Sequence, residues 1–514
     1  MLVERVPPVR IQVRNDLPAR SDGQYVLYWM TGARRPRYNF ALDRALEWSR
    51  SLGKPLLVFE PLRAGYEHAS DRFHSFVIDG MRAHVAHFGA ANVRYVPYVE
   101  PSPGEGRDLL SGLARDAAVV IGDESVTFFL GRMIEAAARK ISVRYETVDS
   151  NGLLPLAAIP APFARAYDFR RFLQKNLAPH LRTLPLSDPL SARATELAAV
   201  PADVAARYGL AAQLAAQEEP AALLSRLPID HRVGVVADRG GFVAGGEVLK
   251  RFVQRRLSRY PDRSHPDDDA ASGLSFWLHF GQVSAHQVLA AVADATEWTP
   301  DKIGKKASGQ KDGWWNASEA ADAFLDELVT WRELGQARCR TTTDYKAYAG
   351  VPVWARNSLE KHASDPREHL YDEAQLEAGE TDDLVWNAAM HQLREEGRIQ
   401  NYLRMLWGKR VLTWTKHPEE AFDLLVRLND RWSVDGRDPA SYSNIGWVFG
   451  SYDRPWAPER PIFGVIRVMT SGSAVRKLRM REYLARWGTG VGTIPGPMKS
   501  PQKDAQASLD LDTD

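Results

Sequence analysis

The chain is short of cysteine, of net charge and of long apolar runs. Its single cysteine, Cys339, rules out an intrachain disulfide and suits a reducing, cytoplasmic compartment. No run approaches the ~20 apolar residues of a membrane span. The opening MLVERVPPVRIQVRN lacks the apolar centre of a signal peptide. A formal net charge of +1 excludes a polyanion-attracting field over the whole molecule, so any nucleic-acid face must be a local patch balanced by acid elsewhere. Two arginine-rich stretches are candidates, RFVQRRLSRYPDR and SAVRKLRMREYLAR. No Gly-rich dinucleotide fingerprint follows the first apolar run, where MTGARRPRYN stands instead. There is no Walker A sequence, no internal repeat and no Cys/His metal spacing, so no metal is expected. His84 and His87 fall on a helix with a surface-like pattern and are read as structural or exposed.

At 514 residues the chain exceeds one compact core, and its 44% hydrophobic and 25% charged content is that of a globular protein. Between residues 20 and 184, apolar runs (YVLYW, PLLVF, VRYVPYV, AAVVIGD, VRYETV) alternate with helix-spaced segments such as FALDRALEWSRSLG. That rhythm predicts an α/β domain with a doubly wound parallel sheet, whose ligands would lie beyond the C-terminal strand ends. An Ala-, Leu- and Pro-rich stretch at 185–228 reads as a linker. From 229 to 487 strand signals fade and amphipathic helices dominate. The tail 488–514 has no apolar periodicity and is expected to be disordered.

Tryptophan is the surplus: 13 of 15 lie after residue 270. In NYLRMLWGKRVLTWTKH, Trp407 and Trp414 are seven residues apart, about two helical turns, with Arg404 one turn before Trp407. A core helix with a snorkelling arginine would explain the stripe equally well. Three further clusters are polar where a plain core would not be. In AASGLSFWLHFGQVS, Ser272 and Ser275 open a helix, as an N-cap or as a phosphate cradle. In DAFLDELVTWREL, Glu327 lies beside Trp331, either in an intrahelical pair with Arg332 or facing a planar polar ligand. LNDRWSVDGRDPASYSNIGW places Asp435 in a loop able to return to a cation.

SGLSFWLHFGQVS, FLDELVTWREL, the long LVWNAAMHQLREEGRIQNYLRMLWGKRVLTWTKHPEEAFDLLVRLNDRWSVDGRDP and the closing YDRPWAPERPIFGVIR, taken in order, resemble the class II cyclobutane pyrimidine dimer photolyases of the photolyase/cryptochrome family. The N-terminal third matches more loosely through YVLYWM, NFALDRALEWS and PLLVF. The resemblance implies an α/β domain that often holds an antenna chromophore, then an all-α domain that binds FAD in its reduced form. It implies a carbon–carbon lyase that splits pyrimidine dimers in UV-damaged DNA with light, acting as a monomer without an obligate protein or membrane partner, in the cytoplasm and on the nucleoid when bound to DNA.

Carried over by motif, Ser272, Leu274 and Ser275 resemble the FAD phosphate segment. Arg404 and Asp435 resemble the pair flanking the flavin ring, and Asn429 the amide near its N5. Glu327 resembles the acid on the dimer's base edge, Trp331 and Trp447 the walls of the lesion pocket, and Met405 its floor. Trp407 and Trp386 resemble the wire that reduces the flavin, with Trp414 a further relay. Arg454 and Arg467 are candidates for DNA contact. The chain departs from the pattern at Gly273, where the family has Asn, and at Tyr38, where an acid is common, and VIGDESVTF replaces the family's strand end. The stretch KIGKKASGQKDGWW (302–315) has no assignment. A flavin photoreceptor that signals without repair is the alternative; it can dispense with Glu327, Trp331, Met405 and Trp447, all of which are present.

Overall fold

The apolar runs pair as parallel strands in the computed structural model, which describes residues 5–210 and 220–494. Strands β2 (Tyr25–Trp29), β3 (Leu56–Leu62), β4 (Arg94–Val99), β5 (Ala117–Asp123) and β6 (Tyr145–Val148) lie in the order β6-β5-β2-β3-β4. Every residue of β2 and β5 is buried. This is why their sequences are unbroken apolar runs and not alternating ones. A three-residue strand, β1 (Ile11–Val13), adds antiparallel to β6 and closes that edge. The expected doubly wound topology is present.

The strand order reverses between β2 and β5, where open α/β sheets commonly bind ligands. Here the chain fills the position itself. Asp123, at the end of β5, accepts hydrogen bonds from the backbone N–H groups of Thr31, Gly32 and Ala33 at 2.8, 2.8 and 2.9 Å, and from the Tyr28 hydroxyl at 2.8 Å. Three converging N–H groups form an anion nest, and an internal carboxylate occupies it. The missing glycine fingerprint has its counterpart in this loop. Asn39 then caps the helix Phe40–Leu52 by accepting from Ala41 and Leu42, and Gly53 ends it in the left-handed region.

His84 takes the structural side of its reading, although its helix spacing is surface-like. It is fully buried on the helix Asp71–Ala90, with Nδ1 2.7 Å from Glu60. Glu60 also accepts from Arg34 at 2.7 Å and from the Tyr95 hydroxyl at 2.6 Å. Burial alone would raise this carboxyl, yet His84 and Arg34 hold it down at about 2.

The chain clusters into two compact units. The sheet unit comprises Met1–Pro160, Leu177–Gln254 and Ser272–Pro300; the helical unit comprises Ala161–Asn176, Arg255–Ala271 and Asp301–Asp514. Residues 229–254 and 272–300, which composition groups with the helical domain, therefore cluster with the sheet. One reason is close packing on the helix Asp71–Ala90, where a Cβ on Gly240 would lie 1.8 Å from the Phe76 carbonyl oxygen, which also accepts from Gln282 Nε2 at 3.0 Å. In the helical unit, Arg332–Thr341 and Pro439–Val448 approach so closely that a Cβ on Gly335 would meet the Ala440 nitrogen at 2.6 Å. Residues 488–494 were grouped with the disordered tail by composition, but Thr493 exchanges backbone hydrogen bonds with Asp382 and Leu384 at 2.9 Å. Positions 495–514 of that tail and 211–219 of the linker fall outside the described residues. Among the described residues no helix is long and apolar enough to cross a membrane, and no His/Cys/Asp/Glu group is arranged to hold a metal.

Asp43, 3% exposed, accepts from the Leu186 N–H at 3.0 Å. Burial raises its carboxyl to about 7 despite that bond and nearby Arg5. The folded state thus binds this proton more tightly than the unfolded chain, where an Asp titrates near ~3.9. Asp43 accordingly erodes stability as pH climbs from about 4 through about 7. Asp43→Asn is expected to raise the thermal midpoint near pH 8 and to leave it almost unchanged near pH 4, in denaturation scans across that range.

Candidate active site

The helix Asn401–Trp414 is the spine of the site. Gln400 caps it by accepting from the Leu403 N–H at 3.1 Å and donates its own amide to the Arg263 carbonyl at 2.6 Å. Buried residues occur all around this helix, and the hydrophobic stripe expected of a surface helix is absent. Its cations must therefore be answered by neighbours.

Arg404 donates from Nη2 to Asp435 Oδ1 and to Ser433 Oγ, each at 3.2 Å. Ser433 Oγ in turn donates to the same Asp435 oxygen at 2.6 Å. The ion-paired side chains are 16% and 12% exposed, a largely desolvated pair. The turn that delivers Asp435 depends on Gly436, where a Cβ would lie 2.4 Å from the Asn429 carbonyl oxygen. Both Asn429 amide hydrogens are spent, on the Gly436 carbonyl at 2.6 Å and on Asp430 at 3.1 Å. Its Oδ1 is only 3.5 Å from Arg404 Nη1 and keeps the capacity to accept a further hydrogen bond. Arg404, Asn429 and Asp435 thus come together as the sequence suggests. Ser433 joins them without having been singled out; the serine two residues before the aspartate was the available signal.

Three tryptophans form a contiguous column. Trp386, on the helix Leu384–Glu396, stacks on Trp407 with centroids 5.9 Å apart and planes 7° from parallel. It meets Trp414 edge-on at 5.2 Å, so it sits between the two indoles that share one helix. Its Nε1 donates to the Trp407 carbonyl at 3.0 Å. All three are at most 3% exposed. Trp414 continues edge-on to Tyr371 at 5.2 Å, and Tyr371 stacks on exposed His369 at 5.9 Å. Asp383 holds the column in register: it caps the Trp386 helix, accepts from Ser471 at 2.5 Å and pairs with Arg410, which lies over Trp414.

The remaining expected residues are less closely tied together. Glu327 lies in a π-helical turn, Asp326–Trp331, and its partner is Arg263 at 2.9 Å, so the intrahelical pair with Arg332 does not form. Because Arg263 also receives the Gln400 amide, Glu327 is linked to the start of the Arg404 helix. Glu327, Trp331, Met405 and Trp447 are all half-buried. Lys409 joins Trp447 to the spine: its ammonium is 4.9 Å from the ring centroid and donates to the Val448 carbonyl. Burial pulls this ammonium down to about 7. Among the described residues Trp331 and Met405 make no hydrogen bond or ring contact with this set. Arg467 pairs with Asp453 at 3.1 Å and lies 4.1 Å over Trp456 and 5.8 Å from Trp447, so its charge is largely used internally. Arg454 is exposed over the same Trp456.

Ser272, Leu274 and Ser275 lie in the sheet unit. The helix that begins there is only five residues long, Ser275–His279, and Leu274 is fully buried. Gly273 has φ 71°. Asn, which the resemblance leads one to expect here, also tolerates this left-handed backbone; Gly273 adopts it without an amide side chain.

No protein-family model matches the chain. A deoxyribodipyrimidine photo-lyase of Methanothermobacter thermautotrophicus is 30% identical over 467 residues, covering 90% of this chain and 94% of that protein. A deoxyribodipyrimidine photo-lyase of Arabidopsis thaliana is 36% identical over 274 residues, 52% of this chain and 51% of its own length. One of Potorous tridactylus is 37% identical over 260 residues, 50% and 45%. Among solved structures, a class III photolyase from Agrobacterium tumefaciens aligns with TM-score 0.64 at 17% identity, over 90% of this chain and 86% of that one. A Synechocystis cryptochrome aligns with TM-score 0.61 at 14% identity, over 90% and 88%. At these identities the two structures carry the fold alone.

Gly436→Ala forces a methyl group into the Asn429 backbone, and overpacking of this kind costs about 1–3 kcal/mol. The expected result is a lower denaturation midpoint than that of Gly53→Ala, where the surroundings leave open space for a Cβ and the strain is that of the left-handed backbone alone. Chemical denaturation of the two variants checks it.

Proposed function

The chain belongs to the photolyase/cryptochrome family, and on that premise we propose that it is a class II-type lyase that splits cyclobutane pyrimidine dimers in UV-damaged DNA with bound, reduced FAD. Light-dependent DNA repair is its function, and signalling without repair is not favoured because the whole lesion-side set is present. Support for the class II assignment comes from the unbroken resemblance between Leu384 and Asp438. The observation that carries the reading is the indole column ending one helical turn from the Arg404–Asp435 pair.

The residues fit a planar flavin ring. Arg404 and Asp435 present a cation and a carboxylate side by side, and Asn429 offers the remaining accepting capacity of its amide oxygen to a ring N–H. When bound, the reduced flavin supplies the excited electron that opens the cyclobutane ring. The assignment of its phosphates to Ser272, Leu274 and Ser275 rests on resemblance alone, and no antenna chromophore is assigned. Trp331 and Trp447 are proposed to stack on the extruded dimer, and base–aromatic stacking contributes about 1–3 kcal/mol per base. Extrusion itself is cheaper for a damaged pair than for an intact one. Glu327 is proposed to hydrogen-bond the dimer's base edge, with Arg263 fixing the carboxylate's direction.

The column delivers reducing electrons inward from Trp414 through Trp386 to Trp407. Trp407 Nε1 is buried without an acceptor among the described residues. An electron vacancy on that ring therefore keeps its proton and passes outward to Trp386.

Reduced protein under near-UV or blue light is expected to restore thymines in a dimer-containing oligonucleotide; no restoration would overturn the repair reading. Glu327→Gln should keep FAD while repair falls roughly 10–100-fold, the worth of a hydrogen bond to a charged group. Trp407→Phe should slow photoreduction of oxidised flavin and spare repair by chemically reduced protein. Unchanged photoreduction would place the wire elsewhere.

A further inference from the structure

The stretch Lys302–Trp315, for which the resemblance offers no role, is a built surface. Its Gly309 has φ 81° and donates its N–H to Gln174 Oε1 at 2.7 Å, while Gln174 Nε2 donates to the Gln310 carbonyl at 2.8 Å. The Tyr167 hydroxyl donates to the Ser308 carbonyl at 2.7 Å. Trp314 and Trp315 are buried, and the Gly304 N–H closes the loop on the Trp314 carbonyl at 2.7 Å. The loop is thereby clamped along the helix Ala166–Asn176.

This clamp brings four cations to the surface. Lys305 and Lys306 on the loop are exposed, as are Arg171 and Lys175, one turn apart on the helix. None of the four has a carboxylate partner among the described residues, whereas Arg165, just before the same helix, is paired with Asp168. Asp312 is the one exposed acid within the loop itself after Lys302. Charge in the arginine patches that the sequence singles out is paired only in part, and Arg251, Arg255, Arg259 and Arg481 are exposed without an ion pair among the described residues. Arg256 pairs with Asp269, Arg263 with Glu327, and Arg479 with Asp262 and Asp268.

The cations are also fixed relative to the proposed lesion-binding segment. Arg170, next to Arg171, makes a two-pronged contact with Asp326 at 2.8 and 3.0 Å; both residues are buried, and Asp326 precedes Glu327. A fork-to-carboxylate bond holds direction as well as distance. We infer that Lys305, Lys306, Arg171 and Lys175 form a phosphate-gripping surface that holds the DNA backbone flanking the dimer presented to Glu327. The inference rests on the repair reading above and adds the backbone contacts that set affinity and register.

The test uses full-length, FAD-loaded protein and a duplex carrying one thymine dimer, with Kd measured by fluorescence anisotropy over a range of salt. Each phosphate contact contributes about 0.9 to the slope of log K against log salt on duplex DNA. The double variants Lys305→Ala/Lys306→Ala and Arg171→Ala/Lys175→Ala are each expected to flatten the slope by nearly 2 and to weaken binding about tenfold or more near 0.1 M salt. Asp312→Asn should tighten binding. All the substituted positions are exposed, and retained flavin absorbance reports an intact fold. Unchanged slopes in both double variants, with a wild type that binds and repairs, would overturn this inference alone. A wild type that neither binds nor repairs dimer DNA would overturn the repair reading and this surface with it.

Discussion

Burying a helix that carries three cations is the constraint on which the helical unit turns. A charge removed from water costs several kcal/mol unless it is paired and hydrogen-bonded, and Arg404, Lys409 and Arg410 follow within seven residues of the Asn401–Trp414 helix. Each is answered by a different neighbour. Asp435 and Ser433 take Arg404, the Val448 carbonyl and the Trp447 ring take Lys409, and Asp383 takes Arg410. The three answers dock one helix to the Asp435 turn, to the end of the Pro439–Val448 helix and to the cap of the Leu384–Glu396 helix. Those elements carry Asn429's neighbours, Trp447 and Trp386. Electrostatic satisfaction of the spine and assembly of the site are therefore the same event.

How much of this is legible without coordinates depends on whether a signal is local. The strands could be read because a parallel sheet buried on both faces spells unbroken apolar runs. The stripe of Arg404, Trp407 and Trp414 could be read because helical periodicity is local. Trp386 shows the limit. Two indoles on one helix face do not touch across two turns, and it is a ring from another helix, 21 residues upstream of Trp407, that fills the space between them. Tyr371 and Asp383 were missed for the same reason, since their roles exist only once that helix is docked.

Charge is the least legible property. Asp123 in an apolar strand looks like a ligand-binding acid, yet it occupies the nest made by the loop after β2. His84 has surface-like spacing but answers Glu60 in the interior. Within the arginine-rich stretches Arg256, Arg263 and Arg479 are answered by acids, while Lys305 and Lys306 have no ion pair among the described residues. Composition counts charges, and only tertiary pairing decides which of them remain for a partner.

The tryptophans divide by what lies over their faces, and that division bears on which can give up an electron. Trp447 has the Lys409 ammonium at 4.9 Å and the Arg467 guanidinium at 5.8 Å, and Trp456 lies between Arg467 and Arg454. Trp407 and Trp386 have each other, and the first cation met along the column is Arg410, over Trp414, with its charge balanced by Asp383. A cation held over a π face attracts the ring's electrons and makes removing one more costly, the more so where water is excluded. Indoles in the column are thus the easier ones to oxidise, and those beneath cations are biased toward stacking. Within one residue type, the environments of Trp386 and Trp407 and of Trp447 and Trp456 are set apart by where the protein places its cations.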